Sequence, residues 1–322
     1  MTTQSSQPTQ TSGIFASGYP SIFGTHLMWG MLPLYFALTA PASAFEVVAA
    51  RVLFSIVVCA VVLTLLRGGW RTLMVSLKQK KLMGALAIAS VLIGCNWLLY
   101  VIATTSGHTF DASLGYFINP LVSVMLGVIF LGERLRTTQW VAIGIATFAV
   151  IALSILHGQV PWIGLGLAGT FGFYGLVKSK VGKSTTPIHS FAVESALLAP
   201  LAFVAMLWFE HAGTLTLFNH GPAHFFILAA SGIVTTAPLL LFADAAAKLP
   251  LSVVGMVQYL NPTLQFLIAL LVFHDPLSFS QLLGFILIWV ACLIFTTDMI
   301  RHSRIQRRQA RLAQAAATEV TP

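Results

Sequence analysis

Charged side chains are scarce in this chain. Asp, Glu, Lys and Arg together make up 8% of its 322 residues, against about 25% in ordinary soluble domains. Acidic residues are the rarer sign, with 9 Asp and Glu against 17 Lys and Arg, while apolar residues make up 57%. This composition excludes an ordinary water-soluble domain and favours a protein embedded in lipid.

Cysteine is also scarce, and its spacing is more informative than its number. The three cysteines, Cys59, Cys95 and Cys292, lie far apart, and each falls inside an apolar stretch. This spacing matches neither a disulfide framework nor a set of metal ligands. We therefore expect three buried small hydrophobic side chains, no metal site and no cofactor.

Long apolar runs are what the chain has in abundance. There are ten, at about 20–38, 46–66, 82–104, 112–131, 139–156, 162–177, 190–209, 224–243, 251–273 and 279–297. Most approach the ~20 residues that a helix needs to cross a ~30 Å hydrocarbon core, although the first and the sixth are short. The runs predict an all-α polytopic membrane protein with ten transmembrane helices.

Lys and Arg are distributed unevenly among the gaps between these runs. Sixteen of the 17 lie in every second gap or in the carboxyl-terminal tail, and the remaining one, Arg51, lies inside the second run. Positive loops are retained in the cytoplasm, whereas neutral loops cross the membrane. The alternation therefore predicts a multi-pass protein of the bacterial inner membrane with both termini cytoplasmic.

The net charge of +8 is explained by this topology and gives no reason to expect a nucleic-acid partner. Residues 1–18 are uncharged and rich in Ser, Thr and Gln, which predicts a disordered cytoplasmic tail rather than a signal peptide. Residues 300–322 are strongly basic, which predicts a cytoplasmic tail that anchors the tenth helix, with binding of anionic lipid as the alternative. The expected partners are membrane lipid and a small-molecule substrate, and the sequence leaves a homodimer open.

The chain repeats itself at an offset of 142 residues. At that offset Asn119-Pro120 falls on Asn261-Pro262. The offset defines two repeats, residues 19–156 and 157–299, with five predicted helices each. Because five is an odd number, the second repeat enters the membrane inverted relative to the first. Inverted repeats of this kind build transporters that work by alternating access.

Polar side chains follow one face of the fourth and ninth predicted helices. Each proline there frees the carbonyl four residues earlier, and a free carbonyl in the membrane needs protein or water as a partner. Close helix packing explains the small residues of this face, but large polar side chains fit a wet cavity better. The candidates for the cavity or its gates are Tyr116, Asn119, Pro120, Ser123, Gln258, Tyr259, Asn261, Pro262 and Gln265.

Three other predicted helices carry further candidates for the cavity. Asn96, Trp97 and Tyr100 lie close together in the third helix. Anchoring at the membrane interface explains the aromatic residues but does not explain Asn96. The less specific candidates are His26 and Trp29 in the first helix and Thr235 and Thr236 beside a proline of the eighth.

Two charged residues lie inside the predicted helices. Arg51 lies in the second helix towards its external end, and Glu194 lies in the seventh towards its cytoplasmic end, so a direct pair between them is not expected. Buried charge in a membrane is costly and usually marks a transport pathway. We expect Arg51 to hold an anionic group of the substrate and Glu194 to be the proton-coupling carboxylate. The alternative for Arg51 is snorkelling to the outer interface, near Glu46.

Several segments resemble one family. Cys95–Leu135 contains the strings NWLLY and SLGYFINPL, and Thr236–Leu277 contains the matching VQYLNPTLQ. With Trp29–Phe36 and Glu46–Ser55, these segments resemble the RarD-type permeases of the EamA family, in the drug/metabolite transporter superfamily. The resemblance covers nearly all of residues 19–299. It implies ten helices in two inverted five-helix repeats around a central cavity.

The preferred interpretation is a secondary transporter that moves a small organic metabolite or drug, driven by a proton gradient. The alternative is a passive channel or facilitator, which would need a continuous polar path. An enzyme is disfavoured because the sequence places no paired carboxylates, Cys/His nucleophile or His/Asp cluster at one membrane depth. The inverted repeat disfavours a purely structural or signalling role.

Overall fold

The computed structural model describes residues 18–106, 109–157, 160–272 and 279–319, and every regular element in these ranges is an α-helix. The helices are α1 (Tyr19–Gly30), α2 (Leu32–Ala37), α3 (Ala44–Leu65), α4 (Gly69–Leu77), α5 (Lys80–Thr105), α6 (Thr109–Leu131), α7 (Thr137–His157), α8 (Trp162–Val181), α9 (Pro187–His211), α10 (Gly221–Lys248), α11 (Leu251–Gln258), α12 (Leu260–Leu271) and α13 (Phe279–Glu319). The ten apolar runs correspond to these helices, with the first run divided into α1 and α2 and the ninth into α11 and α12.

Within the described ranges, eight helical segments are long and apolar enough to cross a membrane. They are α3, α5, α6, α7, α9, α10, the α11–α12 pair and the apolar part of α13. The short α1–α2 pair and α8 correspond to the two runs that the sequence marks as short. A helix satisfies its own backbone hydrogen bonds, as a lipid-embedded chain must. The structure therefore confirms a polytopic all-α membrane protein.

Two helices are interrupted near prolines. The first interruption falls at Met31, between α1 and α2 and just before Pro33. The second falls at Tyr259, between α11 and α12 and just before Pro262. Helix α6 instead continues through Pro120. Of the two Asn-Pro sequences related by the 142-residue offset, only the second therefore lies beside an interruption of its helix.

The short helix α4 lies outside the apolar runs, in the gap with five cations. It is amphipathic: Leu73 and Ser76 are buried, whereas Trp70, Met74 and Val75 are exposed. Exposed apolar side chains beside Lys and Arg are typical of a helix that lies in the membrane interface.

Close helix packing depends on glycine at several interfaces. Where α3 packs on α10, a Cβ added at Gly232 would lie 2.5 Å from the carbonyl carbon of Phe54. Where α6 packs on α8, a Cβ at Gly172 would lie 2.6 Å from Cγ1 of Val122. Small residues are favoured at such interfaces because association in lipid depends on close backbone approach. The remaining large interfaces join α3 to α9, α5 to α8, α6 to α11 and α7 to α13.

Two features differ from the sequence-based expectations. Lys178, which the sequence assigns to a loop, lies inside α8 and is only 2% exposed. Cys95 is exposed rather than buried, because it lies on an outer face of α5. The basic carboxyl-terminal segment, for which the sequence predicted no particular secondary structure, continues α13 as a helix to Glu319. The expectation for the amino-terminal tail falls on residues 1–17, outside the described residues.

Candidate functional site

A cavity of about 240 Å³ lies between α1, α2, α3, α5, α6, α8, α10, α11 and α12. Eleven residues predicted from the sequence line it: His26, Trp29, Arg51, Asn96, Trp97, Tyr100, Tyr116, Asn119, Gln258, Asn261 and Gln265. The other lining residues are Leu32, Pro33, Phe36, Ile93, Gly115, Leu167, Phe171 and Leu239. The fold thus brings polar side chains from both halves of the chain to one place.

Arg51 reaches this cavity from α3. Its Nε donates a hydrogen bond to Oγ1 of Thr235 on α10, at 2.8 Å. The guanidinium carbon lies 4.8 Å from the centroid of the Trp97 ring and 5.8 Å from that of Phe36, which is cation–π geometry. Snorkelling towards Glu46 is therefore wrong: Arg51 is held by interior side chains.

Glu46 has different partners from those expected. Its carboxylate is fully buried and accepts hydrogen bonds from the backbone N–H groups of Thr216 and Leu217, at 2.8 and 2.9 Å. It also accepts the hydroxyl of Thr216, at 3.0 Å. These bonds fasten the start of α3 to the segment between α9 and α10 and give the buried carboxylate the polar contacts that it requires.

Several polar atoms around the cavity have no hydrogen-bond partner among the described residues. They are Oδ1 of Asn119, Nε2 of Gln258 and both ring nitrogens of His26. Gln258 is 4% exposed and His26 is 1% exposed. Buried polar groups in proteins are nearly always paired. These buried atoms therefore lack the partner that such groups normally have, although the three residues that carry them contribute to the cavity lining.

Other amides of the lining are already engaged. Nδ2 of Asn96 donates to the carbonyl of Leu167 at 2.9 Å and to Oγ1 of Thr170 at 3.0 Å. Nε2 of Gln265 donates to Oδ1 of Asn261 at 3.1 Å and to the carbonyl of Trp29 at 3.3 Å. Pro33 cannot donate to the carbonyl of Trp29, so Gln265 satisfies the acceptor that the proline frees.

Aromatic rings form the apolar wall of the cavity. Trp29 lies edge-on to Phe171, with centroids 5.4 Å apart, and 5.5 Å from the ring of His26. Tyr100 and Tyr116 lie 6.1 Å apart. Centroid distances of this size are favourable for aromatic pairs, so the wall contains two groups of packed rings.

Seven predicted residues lie outside the lining: Pro120, Ser123, Glu194, Thr235, Thr236, Tyr259 and Pro262. Ser123 contacts the cavity indirectly, since its hydroxyl donates to Oε1 of Gln258 at 3.4 Å. Thr235 does so through Arg51. Tyr259 is 1% exposed and donates its hydroxyl to the carbonyl of Phe117, at 3.2 Å.

Glu194 forms a buried ion pair away from the cavity lining. Its Oε1 lies 2.7 Å from Nζ of Lys178, and the two side chains are 0% and 2% exposed. Ser190 donates to the same oxygen at 2.8 Å, and the Tyr174 hydroxyl donates to Oε2 at 3.1 Å. Lys178 also donates to the Ser190 hydroxyl. Arg51 and Glu194 are therefore not paired, as expected, but the sequence did not reveal Lys178 as the partner.

Most lining residues missed by the sequence analysis are apolar. Leu167, Leu239 and Ile93 resemble any other residue of a membrane helix, so their chemistry gives no signal. Phe171 could have been found, because it lies 142 residues after Trp29 and so occupies the equivalent position in the repeat. Among the described residues, no group of His, Cys, Asp and Glu is arranged to hold a metal ion.

Comparison with known proteins gives the same family on both halves of the chain. The EamA-like transporter family matches twice, over residues 16–155 and 160–297. The chain is 42% identical to protein RarD of Streptomyces exfoliatus over 296 residues, which cover 92% of each chain. It is 38% identical to protein RarD of Escherichia coli strain K12 over 279 residues, 87% of this chain and 93% of that one.

A solved crystal structure has the same fold. It superposes with a TM-score of 0.65 over 88% of this chain and 98% of its own, at 15% sequence identity. The bacterial relatives and the apolar helices together identify a multi-pass protein of the inner membrane that handles a small molecule. On these grounds the chain belongs to the EamA-like transporter family, as a membrane permease of the RarD type.

Proposed function

We propose that this permease is a secondary transporter that moves a small organic metabolite or drug by alternating access. The cavity carries the proposal, because both halves of the chain supply its polar lining. Four pairs of lining residues are related by the 142-residue offset: Trp29 and Phe171, Trp97 and Leu239, Tyr116 and Gln258, and Asn119 and Asn261. A site shared in this way can open to either side as the two halves rock against each other.

Contacts between equivalent residues support a two-fold relation between residues 19–156 and 157–299, and the odd number of helices in each repeat makes this relation an inversion. The Tyr259 hydroxyl donates a hydrogen bond to the carbonyl of Phe117, which lies one repeat offset of 142 residues away. Trp29 likewise touches its equivalent, Phe171. Residues near a two-fold axis meet their own counterparts, whereas two repeats stacked side by side without such an axis would not bring them together.

We propose ten membrane crossings, with the α1–α2 pair and α8 added to the eight apolar spans. Helix α8 packs against α5, α6 and α10, and α1 packs against α10 and α12. Helices enclosed by other helices need less apolar surface than helices facing lipid. Ten crossings place both termini, the α4 segment and the α8–α9 loop on one side of the membrane, and the Lys and Arg residues of these segments assign that side to the cytoplasm.

Cysteine labelling tests this topology. In a variant with the three native cysteines replaced by Ala, single cysteines would be placed at the exposed positions Lys78, Ser184 and Thr214. A membrane-impermeant maleimide added to whole cells should label position 214 only. Labelling of position 78 or 184 from outside would refute the ten-span topology.

We propose that a proton gradient drives transport and that Glu194 takes up the proton. Protonation would remove one charge of the Lys178–Glu194 pair and weaken the link between α8 and α9. The double variant Lys178→Met/Glu194→Gln lacks the carboxylate but leaves no unpaired buried charge, so it should fold. It should exchange substrate without accumulating it along a pH gradient. Full gradient-driven accumulation by this variant would exclude the proposed role of Glu194.

Counterflow in reconstituted vesicles tests the transport mechanism itself. A panel of labelled metabolites would be presented to vesicles loaded with the same unlabelled compound. An alternating-access transporter gives saturable uptake that the internal compound stimulates. A passive channel or facilitator gives flux that neither saturates with the external compound nor is stimulated by the internal compound. That result would overturn the proposal.

A further inference from the structure

The cavity contains one permanent charge that the described protein does not neutralise. Arg51 is the only Asp, Glu, Lys or Arg in the described lining. The ion pairs between described residues join other side chains: Arg136 with Asp298, Lys178 with Glu194 and Lys248 with Asp244. A guanidinium remains charged in proteins, and an unpaired charge inside a membrane protein is costly and usually functional.

The contacts of Arg51 orient it and leave part of it free. Nε donates to the Thr235 hydroxyl at 2.8 Å, and the guanidinium carbon lies 4.8 Å from the centroid of the Trp97 ring. Among the described residues, its two terminal nitrogens have no hydrogen-bond acceptor. Two parallel N–H groups on the edge of a planar guanidinium match the two oxygens of a carboxylate.

We propose that the substrates of this permease are organic monocarboxylates, and that the terminal nitrogens of Arg51 bind the carboxylate while Trp97 and Phe36 contact the adjoining apolar part. This inference rests on the proposed transport function and names its substrate class. Thr235 is a positioning residue, because it fixes the rotation of the guanidinium without reaching the solute.

The remaining lining explains why one carboxylate fits better than other charge types. A cationic solute would meet Arg51 without an opposing carboxylate among the described lining residues. A dianion would leave one charge facing amides and aromatic rings only. A neutral solute would leave Arg51 uncompensated. The cavity of about 240 Å³ also lies below the ~300–1,000 Å³ of typical drug-sized pockets, which favours compact metabolites.

The test compares three compounds of matched shape: 3-phenylpropionate, 3-phenylpropionamide and 3-phenylpropylammonium. Their affinities for the purified full-length protein in lipid nanodiscs would be measured from thermal stabilisation. The amide replaces the bidentate, charged hydrogen bond of the carboxylate with a weaker one. The carboxylate should therefore bind at least about tenfold more tightly than the amide. The ammonium compound should bind most weakly. Equal affinities, or no measurable stabilisation by the carboxylate, would overturn the inference.

Variants of Arg51 test whether this residue causes the preference for the carboxylate. Arg51→Gln should fold, because it removes an uncompensated charge, and should bind carboxylate and amide equally. Arg71→Gln is the matched control, since Arg71 is exposed on α4 and its replacement should leave the preference unchanged. A carboxylate preference that persists in Arg51→Gln would place the anion site elsewhere and refute the inference.

Variants of Thr235 test the positioning role. Thr235→Val keeps the side-chain shape but removes the acceptor for Nε, so the preference for carboxylate over amide should fall several-fold. Thr235→Ser restores a hydroxyl and should restore the preference. If Thr235→Val and Thr235→Ser behave alike, the hydroxyl does not position Arg51.

Counterflow with the same compounds separates this inference from the proposed function. Saturable, internally stimulated uptake of the amide or ammonium compound that survives Arg51→Gln would refute the carboxylate class and leave the transporter proposal standing. Flux of all three compounds without saturation would refute the transporter proposal. Saturable uptake confined to the carboxylate and lost in Arg51→Gln would support both.

Discussion

Two ion pairs of equal length and different burial make the cost of a broken pair measurable. Lys178 Nζ lies 2.7 Å from Glu194, with the side chains 2% and 0% exposed. Lys248 Nζ lies 2.7 Å from Asp244, with the side chains 39% and 26% exposed. At this distance two unit charges attract by about 6 kcal/mol at an effective dielectric constant of ~20, but by only about 1.5 kcal/mol in water.

Removing one member of the buried pair leaves the other charge buried without its partner. We therefore expect Lys178→Met or Glu194→Gln alone to lower the free energy of unfolding by about 3–5 kcal/mol. Lys248→Met should cost less than about 1 kcal/mol, because water solvates the remaining carboxylate. The double variant Lys178→Met/Glu194→Gln should recover most of the loss, since replacing both members leaves no buried charge.

The measurement is equilibrium unfolding in mixed micelles with increasing dodecyl sulfate, followed by circular dichroism. A double-mutant cycle over Lys178 and Glu194 gives the coupling energy between the two residues. The reasoning fails if Lys178→Met costs no more than Lys248→Met. It also fails if the double variant loses the sum of the two single costs, because the residues would then be energetically independent.

Two further predictions concern single positions. Gly232→Ala places a Cβ 2.5 Å from the carbonyl carbon of Phe54 and should lower the free energy of unfolding by about 1–3 kcal/mol. The control is Gly144→Ala, where a Cβ meets no atom within 4 Å; it should be neutral or stabilising by up to ~1 kcal/mol. Equal effects at the two positions would contradict the packing argument. Glu133 accepts the N–H groups of Leu251 and Ser252 at the start of α11, so Glu133→Gln should cost about 1 kcal/mol in the same unfolding assay, whereas Glu210→Gln at an exposed site should cost nothing measurable.

The sequence predicted the eight apolar spans because each of these runs is long enough to be recognised by composition. The prediction of helix ends was wrong where a helix continues beyond its apolar run. The run that became α8 was taken to end before Lys178, but the helix continues to Val181. A long Lys side chain at a helix end is usually solvated or snorkels to the interface, so nothing local distinguishes the buried Lys178 from a loop cation.

Residue type likewise revealed only part of the candidate site. Polar residues such as Asn119, Gln258 and Arg51 are conspicuous in an apolar helix, and all three line the cavity. Apolar lining residues are not conspicuous. Phe171 lines the cavity, whereas Phe173 is 42% exposed on the outside of the same helix, and only the rotation of α8 distinguishes them.

Transfer into lipid is a sum of contributions from consecutive residues, so the order of apolar runs and cations was sufficient to establish an all-α membrane protein and to reveal its repeat. Hydrogen bonds between helices depend on how each helix is rotated and on which neighbour it faces. The bond between Arg51 and Thr235 joins residues 184 positions apart, and the bond between Glu46 and Thr216 joins residues 170 positions apart. Only the packed tertiary structure could decide which of the scarce polar groups are paired with one another.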